Sequence, residues 1–100
     1  MATPYEVRFT PSAYKHLEAL RRYERNVILD AIKQQLALVP LEETRNRKLL
    51  RKNPFADWEL RVGRCRVLYD VEGDNRVVRI LAIGTKEGSK LIIGGKEVAL

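Results

Sequence analysis

Two runs of alternating residues, Trp58-Glu-Leu-Arg-Val62 and Cys65-Arg-Val-Leu-Tyr-Asp-Val71, stand on either side of the dipeptide Gly63-Arg64. Period-two alternation marks a strand with one buried face, and a two-residue connector that begins with glycine marks a tight hairpin turn. Together they predict an antiparallel hairpin whose register is set by the turn. Val62 then faces Cys65, Arg61 faces Arg66, Leu60 faces Val67, Glu59 faces Leu68, and Trp58 faces Tyr69. Trp58, Leu60, Val62, Cys65, Val67, Tyr69 and Val71 share one face. Glu59, Arg61, Arg66, Leu68 and Asp70 share the other.

The rest of the chain supplies what such a hairpin packs against. Tyr5 to Thr10 alternates and reads as a first strand. Thr10-Pro11 then has the form of a helix start, with Thr10 as N-cap and Pro11 in the first helical position. Ala13, Leu17 and Leu20 give that helix an apolar stripe. Ile28, Ala31, Ile32, Leu36 and Val39, closed by Pro40, give a second helix its own. Leu41 to Asp57 is a basic linker with room for a helical turn through Arg47 to Lys52. Glu72-Gly73-Asp74-Asn75 turns the chain into a strand over Arg76 to Ile83, with Val78, Ile80 and Ala82 inward and Val77, Arg79, Leu81 and Ile83 outward. Lys90 to Leu100 reads as two short extended pieces around Gly94-Gly95. The sum is an α+β domain over residues 1–100, in two layers: an antiparallel sheet of about four strands against an N-terminal helical hairpin.

Charge is concentrated where the hairpin is. Between Arg45 and Arg66, a window of 22 residues, there are eight basic side chains and two acidic ones, whereas the other 78 residues carry 11 of each. The whole net charge of +6 therefore lies in this window, a field that attracts phosphate. Arg61 and Arg66, directly opposed, repel each other unless an anion or a carboxylate lies between them. The same face carries Leu68, Val77, Leu81 and Ile83, too apolar to be left in water. Two readings stay open. The face binds an anionic partner, or Glu59 bridges the arginines while the Lys90–Leu100 segment covers the apolar residues.

Other residue types narrow the chemistry. Cys65 is the only cysteine and His16 the only histidine, so neither an intrachain disulfide nor a metal site is expected. His16 lies beside an apolar helix stripe and reads as a half-buried or surface residue. Cys65 reads as core packing, and Trp58 with Tyr69 as a core aromatic pair. No apolar run reaches the roughly 18 residues of a membrane span. The first residues lack the apolar stretch of a signal peptide. A cytoplasmic protein without cofactor is expected.

Arg47-Lys-Leu-Leu-Arg51, Trp58-Glu-Leu-Arg-Val-Gly-Arg-Cys-Arg-Val-Leu-Tyr-Asp-Val71 and Val77-Val-Arg-Ile-Leu-Ala-Ile-Gly-Thr-Lys86, in that order, resemble the RelE/ParE toxin superfamily. The resemblance covers nearly the whole chain. It implies a four-stranded antiparallel sheet under a helical hairpin, and an antitoxin partner whose C-terminal segment wraps the toxin. RelE-type members cut messenger RNA on the ribosome, and ParE-type members poison DNA gyrase. Carried over by position, Arg66 falls on the most characteristic catalytic arginine, Arg61 on a basic position, and Lys86 near another. Glu59 stands where a lysine is usual, and Ile92 where a tyrosine is usual.

The resemblance implies an endoribonuclease that needs no metal. Such cleavage requires a base for the 2′-hydroxyl, cations for the phosphorane, and an acid for the leaving 5′-oxygen. Arg61 and Arg66 are the expected phosphate clamp. Glu59 is the expected base, with a structural bridge as its equal alternative, and Lys86 the expected donor. Lys48, Arg51, Lys52, Arg64 and Arg79 are the expected RNA-backbone contacts. The competing expectations are a gyrase poison or non-catalytic binder of the same fold, and an accessory nucleic-acid-binding domain without toxicity.

Overall fold

A computed structural model describes residues 3–100. The expectation drawn from the start of the chain includes positions 1 and 2, which lie outside the described residues. In chain order the elements are β1 (Glu6–Phe9), α1 (Pro11–Glu18), α2 (Arg22–Gln35), β2 (Arg47–Leu49), β3 (Trp58–Val62), β4 (Cys65–Glu72), β5 (Val77–Glu87), β6 (Lys90–Ile93) and β7 (Lys96–Val98).

One sheet contains all seven strands in the order β2-β3-β4-β5-β6-β7, with β1 beside β5. It is larger than the expected four strands. It also has one parallel pair, because β1 runs alongside the first half of β5, from Glu6 opposite Val77 to Phe9 opposite Ile80. The other neighbours are antiparallel. β3 and β4 pair in the register that the Gly63-Arg64 turn dictates, and Gly63 takes the left-handed φ of 58° that the turn needs.

Both helices contribute to one core on the inner face. Ala13, Leu17, Ile28, Ile32 and Leu36 meet Trp58, Leu60, Cys65, Val67, Tyr69, Val78, Ile80 and Ile83. Thr10 caps α1 as expected, its Oγ1 accepting from Ala13 N at 3.1 Å. Trp58 and Tyr69 stack with centroids 6.0 Å apart, and the Tyr69 hydroxyl donates to Pro40 O at 2.8 Å. That bond satisfies the one polar atom of a fully buried ring. Val39, the last residue of the expected second stripe, is exposed instead.

Two local expectations are corrected. The helical turn expected through Arg47 to Lys52 is a strand at Arg47–Leu49, because these residues extend the sheet by pairing with Trp58–Leu60. In β5 the alternation breaks. Leu68 faces Ala82 but Tyr69 faces Ile80, which leaves Leu81 as the extra residue of a bulge. A bulge reverses the faces beyond it, so Ile83 joins the inner core and Ala82 turns outward.

Outward-facing apolar residues build a second, smaller core. Leu68, Ala82, Ala56 and Leu91 are buried together there, with Leu50, Phe55, Leu81, Ile93, Val98 and Leu100 packed around them. The C-terminal hairpin β6–β7 thus covers the apolar part of the face, as the second of the two readings has it for the Lys90–Leu100 segment.

Candidate functional site

The basic part of that outer face lies in a cleft of about 830 Å³. β2 and the C-terminal hairpin stand at opposite ends of the strand order, yet Lys48 and Arg51 from one side and Ser89, Lys90 and Glu97 from the other line the same cleft. The sheet therefore curls, with its two edge regions as walls. Glu59, Arg61, Arg66 and Lys86, from the strands between them, also line it. Six cations thus meet two carboxylates, Glu59 and Glu97, around one concavity.

Local pairing places these side chains. On this face one row, across three strands, reads Arg61, Arg66, Gly84 and the next, across four, reads Lys48, Glu59, Leu68, Ala82. Each arginine occupies a cross-strand position beside the other, but their environments differ. Arg66 is only 8% exposed. Its Nη1 donates to Gly63 O at 2.8 Å and to Cys65 O at 2.9 Å, and its Nε lies 3.8 Å from Glu59 Oε1. Arg61 is exposed, and among the described residues no ion pair engages it. The like-charge repulsion is thus relieved on one side only, by the carboxylate beside Arg66.

Several sequence-predicted residues stand elsewhere. Arg64 pairs with Glu24 of α2, Nε to Oε2 at 3.1 Å, and that contact raises its pKa further. Arg79 pairs with Glu72 at 2.7 Å. Lys52 is exposed and outside the cleft lining. Arg47, which belongs to the basic window, is buried and holds the chain together: its Nε donates to Glu42 O and its Nη1 to Gln35 Oε1. Cys65 is buried in the inner core, and burial pushes its thiol pKa up. Among the described residues no cluster of His, Cys, Asp and Glu is arranged to hold a metal ion.

His16 has a definite structural task. Beside β5, β1 ends opposite Ile80 and β6 begins only opposite Thr85. The helix fills the gap: Thr10 Oγ1 donates to Leu81 O at 3.3 Å, and Ile83 N donates to His16 Nδ1 at 3.2 Å. Burial holds the imidazole pKa below its ordinary value, consistent with a ring that accepts a hydrogen bond.

Residues 7–88 match the model of the ParE toxin of type II toxin–antitoxin systems. The chain belongs to that family, within the RelE/ParE superfamily. The toxin is also similar to solved structures. One, the toxin–antitoxin complex RelBE2 from Mycobacterium tuberculosis, contains a chain 29% identical, with a TM-score of 0.72, covering 83% of this chain and 99% of that one. Another, the archaeal RelE–RelB complex from Pyrococcus horikoshii, contains a chain 23% identical, with a TM-score of 0.67, covering 85% and 97%; that likeness concerns the fold. No curated protein matches the toxin in sequence.

The cleft residues that sequence reasoning missed are Ser89, Lys90 and Glu97. All three lie beyond the matched span of the toxin family. The two extended pieces around Gly94-Gly95 were readable from the sequence, but where they dock was not. Ile92, which the resemblance sets where a tyrosine is usual, lines the helix-side pocket with His16 rather than the basic cleft.

Proposed function

We propose that this toxin acts on RNA, as an endoribonuclease that binds messenger RNA on the ribosome and cuts it without a metal. The observation that carries this reading is the convergence of Arg61, Arg66, Lys48, Arg51 and Lys86 on one cleft. A phosphodiester backbone is a polyanion that a basic groove of this kind attracts and tracks.

The chemistry follows from each residue's surroundings. Arg66, fixed by two carbonyls, is a preorganised cation that needs little rearrangement when a phosphate arrives. Arg61, with its fork exposed, closes on the phosphate from the opposite strand. Glu59, beside Arg66, takes the proton of the ribose 2′-hydroxyl as that oxygen attacks the phosphorus. The bond to the 5′-oxygen breaks, and Lys86 gives that oxygen its proton. The products are a 2′,3′-cyclic phosphate and a free 5′-hydroxyl. Lys48 and Arg51 hold flanking phosphates.

By analogy with the RelBE2 complex, the toxin is held inactive in the cytoplasm by a cognate antitoxin. A small acidic protein complements the charge of the cleft.

The second reading is a gyrase poison, and one observation favours it. The cleft lining contains no histidine or tyrosine, and its carboxylate Glu59 stands between the cations Arg66 and Lys48. That is a sound binding site with sparse acid–base equipment. Primer extension on a translated transcript, in cells expressing wild type or Arg61→Ala, separates the two. Discrete new 5′ ends with wild type alone support the nuclease. Intact messenger with broken DNA and an SOS response refutes it in favour of the poison.

A further inference from the structure

We propose that the C-terminal hairpin β6–β7 positions the RNA strand as a wall of the cleft, with Lys90 holding a backbone phosphate on that side; this rests on the RNA reading above. The family match ends at residue 88, and the hairpin follows directly on it. It is firmly seated. Leu91 is buried among Leu68, Ala82 and Ala56, and β6 passes so close to β5 that a Cβ on Gly84 would lie 2.6 Å from Ile92 O. An element seated that closely is a fixed surface.

Covering the apolar patch needs Leu91, Ile93, Val98 and Leu100; it does not need a lysine. Lys90 is exposed and lines the basic cleft. Its cross-strand neighbour is Glu87, and among the described residues no ion pair engages Lys90. Lys90 thus faces Lys48 and Arg51 of the β2 side across a floor that carries Arg61 and Arg66, on a wall that also carries Glu97. A cleft of about 830 Å³ with cations on both walls suits a short stretch of one strand, whose backbone a charged groove can track.

The test is fluorescence anisotropy of a short labelled oligouridylate with the purified full-length toxin across a potassium chloride series. Lys90→Ala should weaken binding several-fold and reduce the log–log salt slope by about 0.7, the value of one phosphate contact on a single strand. Lys90→Arg should restore both, and a duplex DNA of equal length should bind more weakly. Lys90→Ala with wild-type affinity and slope, while Arg61→Ala lowers both, would overturn the hairpin's role and leave the RNA site standing. If neither variant departs from wild type, or wild type does not bind, the cleft is not the RNA site and both readings fail. Equal or tighter binding of the duplex would overturn the single-strand assignment.

Discussion

Arg61 and Arg66 occupy facing positions on β3 and β4, yet one is locked and the other free. Arg66 spends its Nη1 on two backbone carbonyls and lies beside Glu59, whereas Arg61 reaches solvent. The two are therefore separable by mutation. Arg66→Ala removes the donor to buried Cys65 O and to Gly63 O on the exposed turn, and should cost about 1–3 kcal/mol. Arg61→Ala removes a like-charge neighbour and should leave stability within about 0.5 kcal/mol of wild type. Urea denaturation of the two variants checks both. Loss of function in Arg66→Ala alone would therefore be ambiguous; loss in Arg61→Ala is informative about the site.

The bond from Ile83 N to His16 Nδ1 makes stability depend on pH. The folded-state pKa of His16 is lowered below the ordinary 6.5 by burial, so as pH falls the unfolded chain takes up this proton first. The contribution is fully present above 6.5 and is lost as pH falls below it, through the lower folded value. His16→Ala should cost about 1–2 kcal/mol at neutral pH and flatten that part of the curve. Thermal denaturation from neutral to mildly acidic pH, with both proteins, reads it directly. An unchanged slope in the variant would assign the pH dependence to other groups.

Gly84 stands where the sheet and the C-terminal hairpin nearly touch. Its added Cβ would meet Ile92 O at 2.6 Å and Ile93 Cγ1 at 2.8 Å. Gly84→Ala should therefore lift β6 and cost about 1–3 kcal/mol. Hydrogen exchange should quicken in β6 and β7 while the β3–β4 hairpin keeps its protection. Uniform loss of protection would mean that the hairpin and the main sheet open together.

Glu59→Gln tests the proposed base. The variant removes a carboxylate from a basic cleft, so RNA affinity should be kept or rise. Cleavage should fall by about 10²–10⁴, the usual range for a lost general base. Cleavage at the wild-type rate would leave Glu59 with a structural role beside Arg66 and no part in proton transfer.

The hairpin register, the Thr10 cap and most of the inner core were readable, because turn, cap and apolar spacing are local signals. Gly63 sets Arg61 against Arg66 through a turn of two residues, and Thr10 binds the amide of Ala13 one helical turn on. What escaped depends on contacts between distant segments. The bulge at Leu81 arises where β4 and β5 pair, and nothing local in the run of apolar residues from Ile80 to Ile83 marks it. The strand at Arg47–Leu49 exists because β3 offers it an edge. Arg47 counts toward the basic window, but Gln35 and Glu42 hold it inside the fold. Arg64 and Arg79 likewise counted toward a basic face, but Glu24 and Glu72 take them as partners. Composition locates charge along the chain; only packing decides which charges remain available.

Growth arrest by Arg61→Ala, expressed without antitoxin at the same level as wild type, tests the role of the cleft most directly. Cells making wild type should stop growing, and cells making the variant should grow as if uninduced. Full arrest by the folded variant would contradict the account, because the one arginine of the pair that is free to meet a phosphate would then be dispensable.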